Sequence, residues 1–207
     1  MAQIPSSGPY TRCIEVEERI PHNVVDAVLE YEDEDTLLEE SDLIFKGTVI
    51  DENEIGLEEY IDGELRNTYY RDIFTFKINK IYYAKDSSIK NGDIIRVTNA
   101  SCSNNWIEGT IEMKKDKEYI LFTEKSYDTD TVEFTKYEDY FTTDHWRSII
   151  SIENEDYYFD EVFTSLKSGA KEEKIRIDGD FKTKIYRKGK EFEKELEDLI
   201  LKKKGEN

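Results

Sequence analysis

Two histidines, two cysteines and 48 carboxylates are the side chains on which chemistry could rest. His22 and His145 cannot form the i, i+4 pair of a helical metal site, and neither adjoins a nucleophile motif. Asp144-His145-Trp146 has the form of a base steered by a carboxylate, but reads more simply as a turn histidine beside a packing tryptophan. Cys13 and Cys102 match no zinc spacing and are too few for a disulfide framework, which leaves one bridge or two free thiols. Acidic pairs are so numerous that spacing nominates none of them for hydrolysis, so no catalytic residue is named and the expectation is a protein that is not an enzyme.

The stretch Asp51-Glu-Asn53-Glu-Ile55-Gly56 has the first, third and sixth positions of a calcium-wrapping loop. Ile55 stands at a ligand position, and the closing position is Asp62, too short for bidentate reach. With Asp128-Thr-Asp130 and Asp178-Gly-Asp180 it reads as a solvated acidic turn, and neither metal nor cofactor is expected. The aromatic groups Tyr137, Tyr140 and Phe141, and then Tyr157 and Tyr158, suit a face that binds sugar or peptide. Rings that fill a small barrel account for the same residues.

These groups sit in a chain of 207 residues with 37% hydrophobic content, enriched by fourteen Tyr, ten Phe and two Trp. That supports one core with appended elements. The net charge is −19. Residues 167–204 hold thirteen Lys/Arg against nine Asp/Glu, so the acidity belongs to the preceding body. Such a field repels phosphate backbones, which argues against nucleic acid and favours cationic partners. No apolar run is long enough for a membrane helix, and none near Met1 resembles a signal segment, so the chain is expected not to insert in a membrane.

Residues 1–22 read as a flexible lead, with two of the three prolines at Pro5 and Pro9. Asn23 to Asp42 predicts one or two short helices from Val24, Val25, Val28, Leu29, Leu37 and Leu38. At Leu43 the period becomes two, with Leu43, Phe45, Gly47 and Val49 on one side of a strand and Gly47 marking a bulge or bend. Asp51 to Glu64, with seven carboxylates, reads as an exposed loop or hairpin tip. A long strand follows over Tyr69 to Tyr83, with Phe74, Phe76, Ile78 and Tyr82 expected on one face. Further strands are expected at Ile94–Thr98, Glu118–Phe122, Val132–Phe141 and Trp146–Ile152. Beyond Asp160 come a short helix at Val162–Ser168, a hairpin about Asp178-Gly-Asp180, and an amphipathic helix over Glu191–Lys203.

The run Leu37-Leu-Glu-Glu-Ser-Asp-Leu-Ile-Phe-Lys-Gly-Thr-Val49, the aromatic strand Phe74 to Tyr82, Asn91-Gly-Asp-Ile-Ile-Arg-Val97 and Lys117-Glu-Tyr-Ile-Leu-Phe122 together resemble a bacterial pattern. It is that of the OB-like barrels, related in architecture to tissue inhibitors of metalloproteinases, found in exported and lipid-anchored proteins of Gram-positive bacteria. The resemblance covers Thr36 to Lys125. It implies a small OB-like barrel, so the expected fold is mainly β: a flexible lead, the barrel with its N-terminal helix over 23–160, and the C-terminal hairpin plus amphipathic helix read from turn signals and periodicity over 161–207, packed on the barrel. It also implies a bridge tying Cys102 to the N-terminal segment, where Cys13 is the partner. Protease inhibition is not inherited, because that activity needs a cysteine at the mature N-terminus.

The functional expectation is a non-catalytic acidic binding module, extracellular or cell-surface associated, presenting barrel loops to a protein or carbohydrate partner. The alternative is a cytoplasmic regulatory or immunity-type protein that binds a basic protein partner.

Overall fold

The computed structural model describes residues 7–16, 23–25, 33–99, 105–107, 113–129, 132–144, 147–177 and 180–205. In chain order the elements are β1 (Pro9–Glu15), β2 (Asn23–Val25), α1 (Glu34–Glu40), β3 (Leu43–Ile61), β4 (Glu64–Ala84), β5 (Ile94–Thr98) and β6 (Asn105–Ile107). After them come β7 (Glu118–Lys125), β8 (Tyr140–Thr142), β9 (Ile149–Glu153), β10 (Asp156–Phe159), β11 (Lys171–Ile177), β12 (Asp180–Lys188) and α2 (Lys190–Gly205). The fold is mainly β, with one ten-stranded sheet and a short parallel pair of β2 with β6.

Within the sheet five strands close on themselves. β3 pairs with β4, β4 with β5, β5 with β8 in parallel, β8 with β7, and β7 returns to β3. The interior of this ring is the core of Leu43, Phe45, Val49, Phe74, Phe76 and Ile78, closed by Val97, Leu121, Tyr140 and Ile149. Phe76 makes edge-to-face contacts with Phe45 at 5.6 Å and Tyr119 at 6.4 Å between ring centres, the arrangement favoured by aromatic quadrupoles.

A second core lies on the outer side. Ile44, Ile120 and Phe122 turn away from the ring and meet Leu37 and Leu38 of α1 and Phe192, Leu196 and Ile200 of α2. α1 forms because Asp33 caps it, accepting from the Thr36 N–H at 2.8 Å, and because Leu37 and Leu38 have a place to bury. α2 follows its amphipathic pattern, with acids in the first turn and lysines in the last. The last of these, Lys204, donates to the carbonyls of Glu39 and Ser41 at the open end of α1, each at 2.9 Å, and lies 4.5 Å over the Tyr83 ring. β9 extends the sheet from β7, and β10 and β12 continue it to the edge strand β11.

Several expectations change. Asn23–Val25 is strand, not helix, paired in parallel with Asn105–Ile107. Pro9–Glu15, expected in a flexible lead, is a strand paired with the far half of β3. Asp51 to Ile61 is strand as well: its carboxylates are interleaved with Ile55, Leu57 and Tyr60, which bury, while Asp51 and Glu52 face water and Glu58 turns to Arg12. β1, β3 and β4 therefore form a three-stranded arm beyond the ring, roughly 30 Å long at strand rise. Its tip is a two-residue turn, Asp62-Gly63, both with positive φ, as this hairpin type requires. Val132–Phe141 is mostly irregular, with a 3-10 turn at Phe134–Lys136 before β8, and the short helix at Val162–Ser168 is a 3-10 turn at Thr164–Leu166.

β4 does not hold one face over its length. The ladder shifts between Lys46 and Gly47, leaving Asn79 extra, and again between Ile44 and Phe45, leaving Tyr82 extra. Each bulge flips the parity of the strand. Ile81 thus packs against the ring core, and Tyr82 packs against the outer core rather than with Phe76 and Ile78. Gly47 sits at the first shift with no room for a side chain. A Cβ there would lie 2.8 Å from Phe45 Cε2 and 3.0 Å from the Lys77 carbonyl oxygen, the second being backbone that cannot rotate away. Gly47→Ala is expected to cost about 1–3 kcal/mol, read as a lower urea midpoint with an unchanged slope.

Candidate functional site

Two concavities and the arm are the places where polar chemistry gathers among the described residues. The first concavity, about 420 Å³, lies where α1 meets the 160–164 segment and is lined by Asp33, Glu34, Asp35, Asp160 and Glu161 without a cation. Four of these acids are committed to holding the joint. Asp33 caps α1, and that hydrogen bonding holds its carboxyl below the usual range. Glu34, buried, accepts from the Ser165 hydroxyl at 2.6 Å, the Ser165 N–H and the Thr164 hydroxyl. Asp160 accepts from the Val162 N–H, and Asp35 meets Lys203 at 2.7 Å.

The second concavity, about 600 Å³, is a groove where the start of α2 crosses β3, β4 and the β9–β10 turn. Its floor is a charge network centred on Glu193. Glu193 Oε1 accepts from Lys46 and from the Tyr157 hydroxyl at 2.6 Å, and Oε2 accepts from Lys80 at 3.2 Å; Lys80 also pairs with Glu197. Burial alone would push the Glu193 carboxyl up, but hydrogen bonds from Lys46, Tyr157 and Lys80 outweigh it and hold the pKa at about 2. Tyr157 answers in the opposite sense: burial, and then the bond to Glu193, raise its pKa. The rim is different. Asp116, Lys117, Asn154, Glu155 and Lys194 are exposed and line the groove.

On the arm, Arg12 Nε donates to Glu58 at 2.8 Å, Tyr60 donates to the same carboxylate at 2.8 Å, and the Arg12 guanidinium lies 5.4 Å over the Tyr60 ring. This stitches β1 to β3. The opposite face of the arm, with Ile55, Leu57, Ile73, Cys13 and Tyr69, packs against Tyr137. Arg71 reaches 5.7 Å over Phe134 beside it.

The residues expected from sequence to make a site are dispersed. Cys13 is a free thiol, not half of a bridge; it is half-buried opposite Leu57, and burial followed by the charge of Glu138 raises its pKa to about 11. Cys102, like His22 and His145, lies outside the described residues. Tyr140 fills the ring interior, where burial lifts its pKa to about 12. Tyr157 belongs to the outer core, stacked on Phe192 at 4.7 Å. Tyr158 stacks on Tyr186 at 5.3 Å, Tyr137 lies against the arm, and Phe141 is half-buried between β5 and β7. The five rings do not share one face. The acidic stretch 51–61 is extended strand that ends in the turn at Asp62, not a loop, and among the described residues no three His, Cys, Asp or Glu side chains converge to hold a metal.

No family model, no curated protein and no solved structure matches this chain.

The Glu193 network has a measurable consequence. A carboxyl with a folded pKa near 2 and an ordinary unfolded value contributes stability that is fully present above about pH 4.5 and is lost as pH falls toward 2. Glu193→Gln is expected to cost about 2–3 kcal/mol at pH 7 and to flatten stability against pH between those limits, as read by urea titrations at several pH values.

Proposed function

We propose that the protein is a non-catalytic acidic binding module on an OB-like barrel, exported or held at the cell surface, that docks a cationic protein partner. The barrel reading is supported by the order of the ring. Numbered along the chain, its strands run first, second, third, fifth, fourth and back to first, with the single parallel pair between third and fifth. Such an order is the one expected of a five-stranded Greek-key closure in OB-like domains. The residues that carry the family resemblance fall on the first four strands of that ring and the helix before it.

What carries the binding reading is surplus charge on a projecting element. Between Asp51 and Asp72 the arm holds eight carboxylates against two arginines, and the whole chain carries −19. Charge of this size steers an oppositely charged protein over about a Debye length and repels polyphosphates. A carbohydrate partner draws less support, since the five aromatic rings that would stack on sugar lie on separate surfaces.

The alternative, an intracellular regulatory or immunity-type protein that binds a basic partner, is favoured by the free Cys13 thiol. Both readings share the cationic partner. Isothermal titration with octalysine, octaglutamate and a single-stranded oligonucleotide tests it. Octalysine should bind at about 20 mM salt and weaken at least ~10-fold by about 300 mM, while the other two show no heat. Oligonucleotide binding, or no octalysine binding at low salt, would sink the reading.

A further inference from the structure

The rim of the groove at the start of α2 is built by three elements far apart in sequence. Asp116 and Lys117 precede β7, Asn154 and Glu155 join β9 to β10, and Lys194 lies early in α2. Their side chains make no hydrogen bond or ion pair among the described residues, whereas the floor beneath them is neutralised by the Glu193 network. A space of about 600 Å³ thus offers two uncommitted anions and two uncommitted cations. Among the described residues that line the acidic concavity beside α1, none is a cation.

Glu155 also stands where its backbone favours another residue. Asn154 and Glu155 form a two-residue hairpin turn with φ of 52° and 67°. The same turn at the tip of the arm uses Asp62 and Gly63, with φ of 52° and 81°. Asparagine, aspartate and glycine accept this left-handed backbone; glutamate does so at a cost. Among the described residues Glu155 contributes its carbonyl, which accepts the Gly189 N–H at 3.0 Å, and a glycine would serve as well.

The geometry points to this groove as the docking site for a partner segment that carries charges of both signs: its ammonium or guanidinium groups meet Glu155 and Asp116, and its carboxylate meets Lys117 and Lys194. The inference rests on the binding-module reading and adds where and how the partner is recognised. The field of the whole chain gathers a cationic protein from a distance. Lys117 and Lys194 then repel a uniformly cationic segment at close range and accept one whose charges alternate.

The probe is a nonapeptide of three Lys-Lys-Glu repeats, titrated into the full chain and followed by amide chemical shifts and by calorimetry. Shifts should centre on Asp116, Glu155 and Lys194. Glu155→Gln and Lys194→Gln, both at exposed positions, should each weaken binding about fivefold with little change in Tm. Glu155→Gly should weaken binding to the same extent while raising Tm, which separates the side chain from the turn it occupies. Binding with shifts elsewhere, or equal affinity in all three variants, overturns the groove and leaves the binding-module reading standing. If the protein binds neither this peptide nor octalysine, both fall together.

Discussion

Between Leu43 and Val49, β3 is hydrogen-bonded on both edges and covered on both faces, and the rest of the molecule is arranged around that double burial. Leu43, Phe45 and Val49 fill the ring, while Ile44 belongs to the core beneath α1 and α2. Few strands in an antiparallel sheet lack a solvated face. Here it is the reason that α2 must pack where it does: leaving the outer face open would strand Ile44, Ile120 and Phe122 in water, at about 1.5–3 kcal/mol for each large apolar side chain. The Glu193 network follows from the same geometry, because Lys46 lies on that face and needs an anion beside it.

Electrostatics divides the carboxylates into two populations. Glu34, Glu58, Glu138 and Glu193 are drawn inward and accept two or more donors each. Such groups join elements distant in sequence, as Glu138 does by taking hydrogen bonds from Thr98 and Ser126. Asp72 and Asp144 are buried as well, and the acids that stay at the surface set the long-range field. The same residue type thus holds the fold together and gives it its partner preference, and burial decides which task each one has.

Periodicity revealed the parts of the fold where regular alternation or helical spacing runs uninterrupted. Leu43 to Val49, Phe74 to Ile78, Ile94 to Thr98, Glu118 to Phe122 and the C-terminal helix are of that kind, as was Gly47 as the site of a bulge. The arm was obscured by its own composition: Asp51 to Glu59 is so acidic that alternation with Ile55 and Leu57 is hard to separate from a solvated loop. The exchange of Tyr82 between faces depends on two ladder shifts, of which Gly47 marks one and no local pattern announces the other. The aromatic groups misled for a related reason. Neighbours such as Tyr157 and Tyr158 point to opposite sides of a strand, so adjacency in sequence argues against a shared surface. The groove rim, drawn from residues near 116, 155 and 194, has no signature in sequence at all, although Asn154-Glu155 between two apolar runs is a turn signal of the right length.

The seal on β3 also orders events during synthesis. The β3–β4 hairpin can zip as soon as it leaves the ribosome, yet the lysine it contributes at position 46 waits for a glutamate 147 residues later. At about 5–20 residues per second that interval is roughly 7 to 30 s. Until α2 emerges, the outer wall of the ring has only α1 of its two packing helices to cover it, so a chaperone that favours exposed β surface has its longest opportunity before α2 is made. Loss of the α2 turns that carry Leu196 and Ile200 would leave a chain with a formed interior and an unsealed exterior, which is the profile that quality-control proteases select.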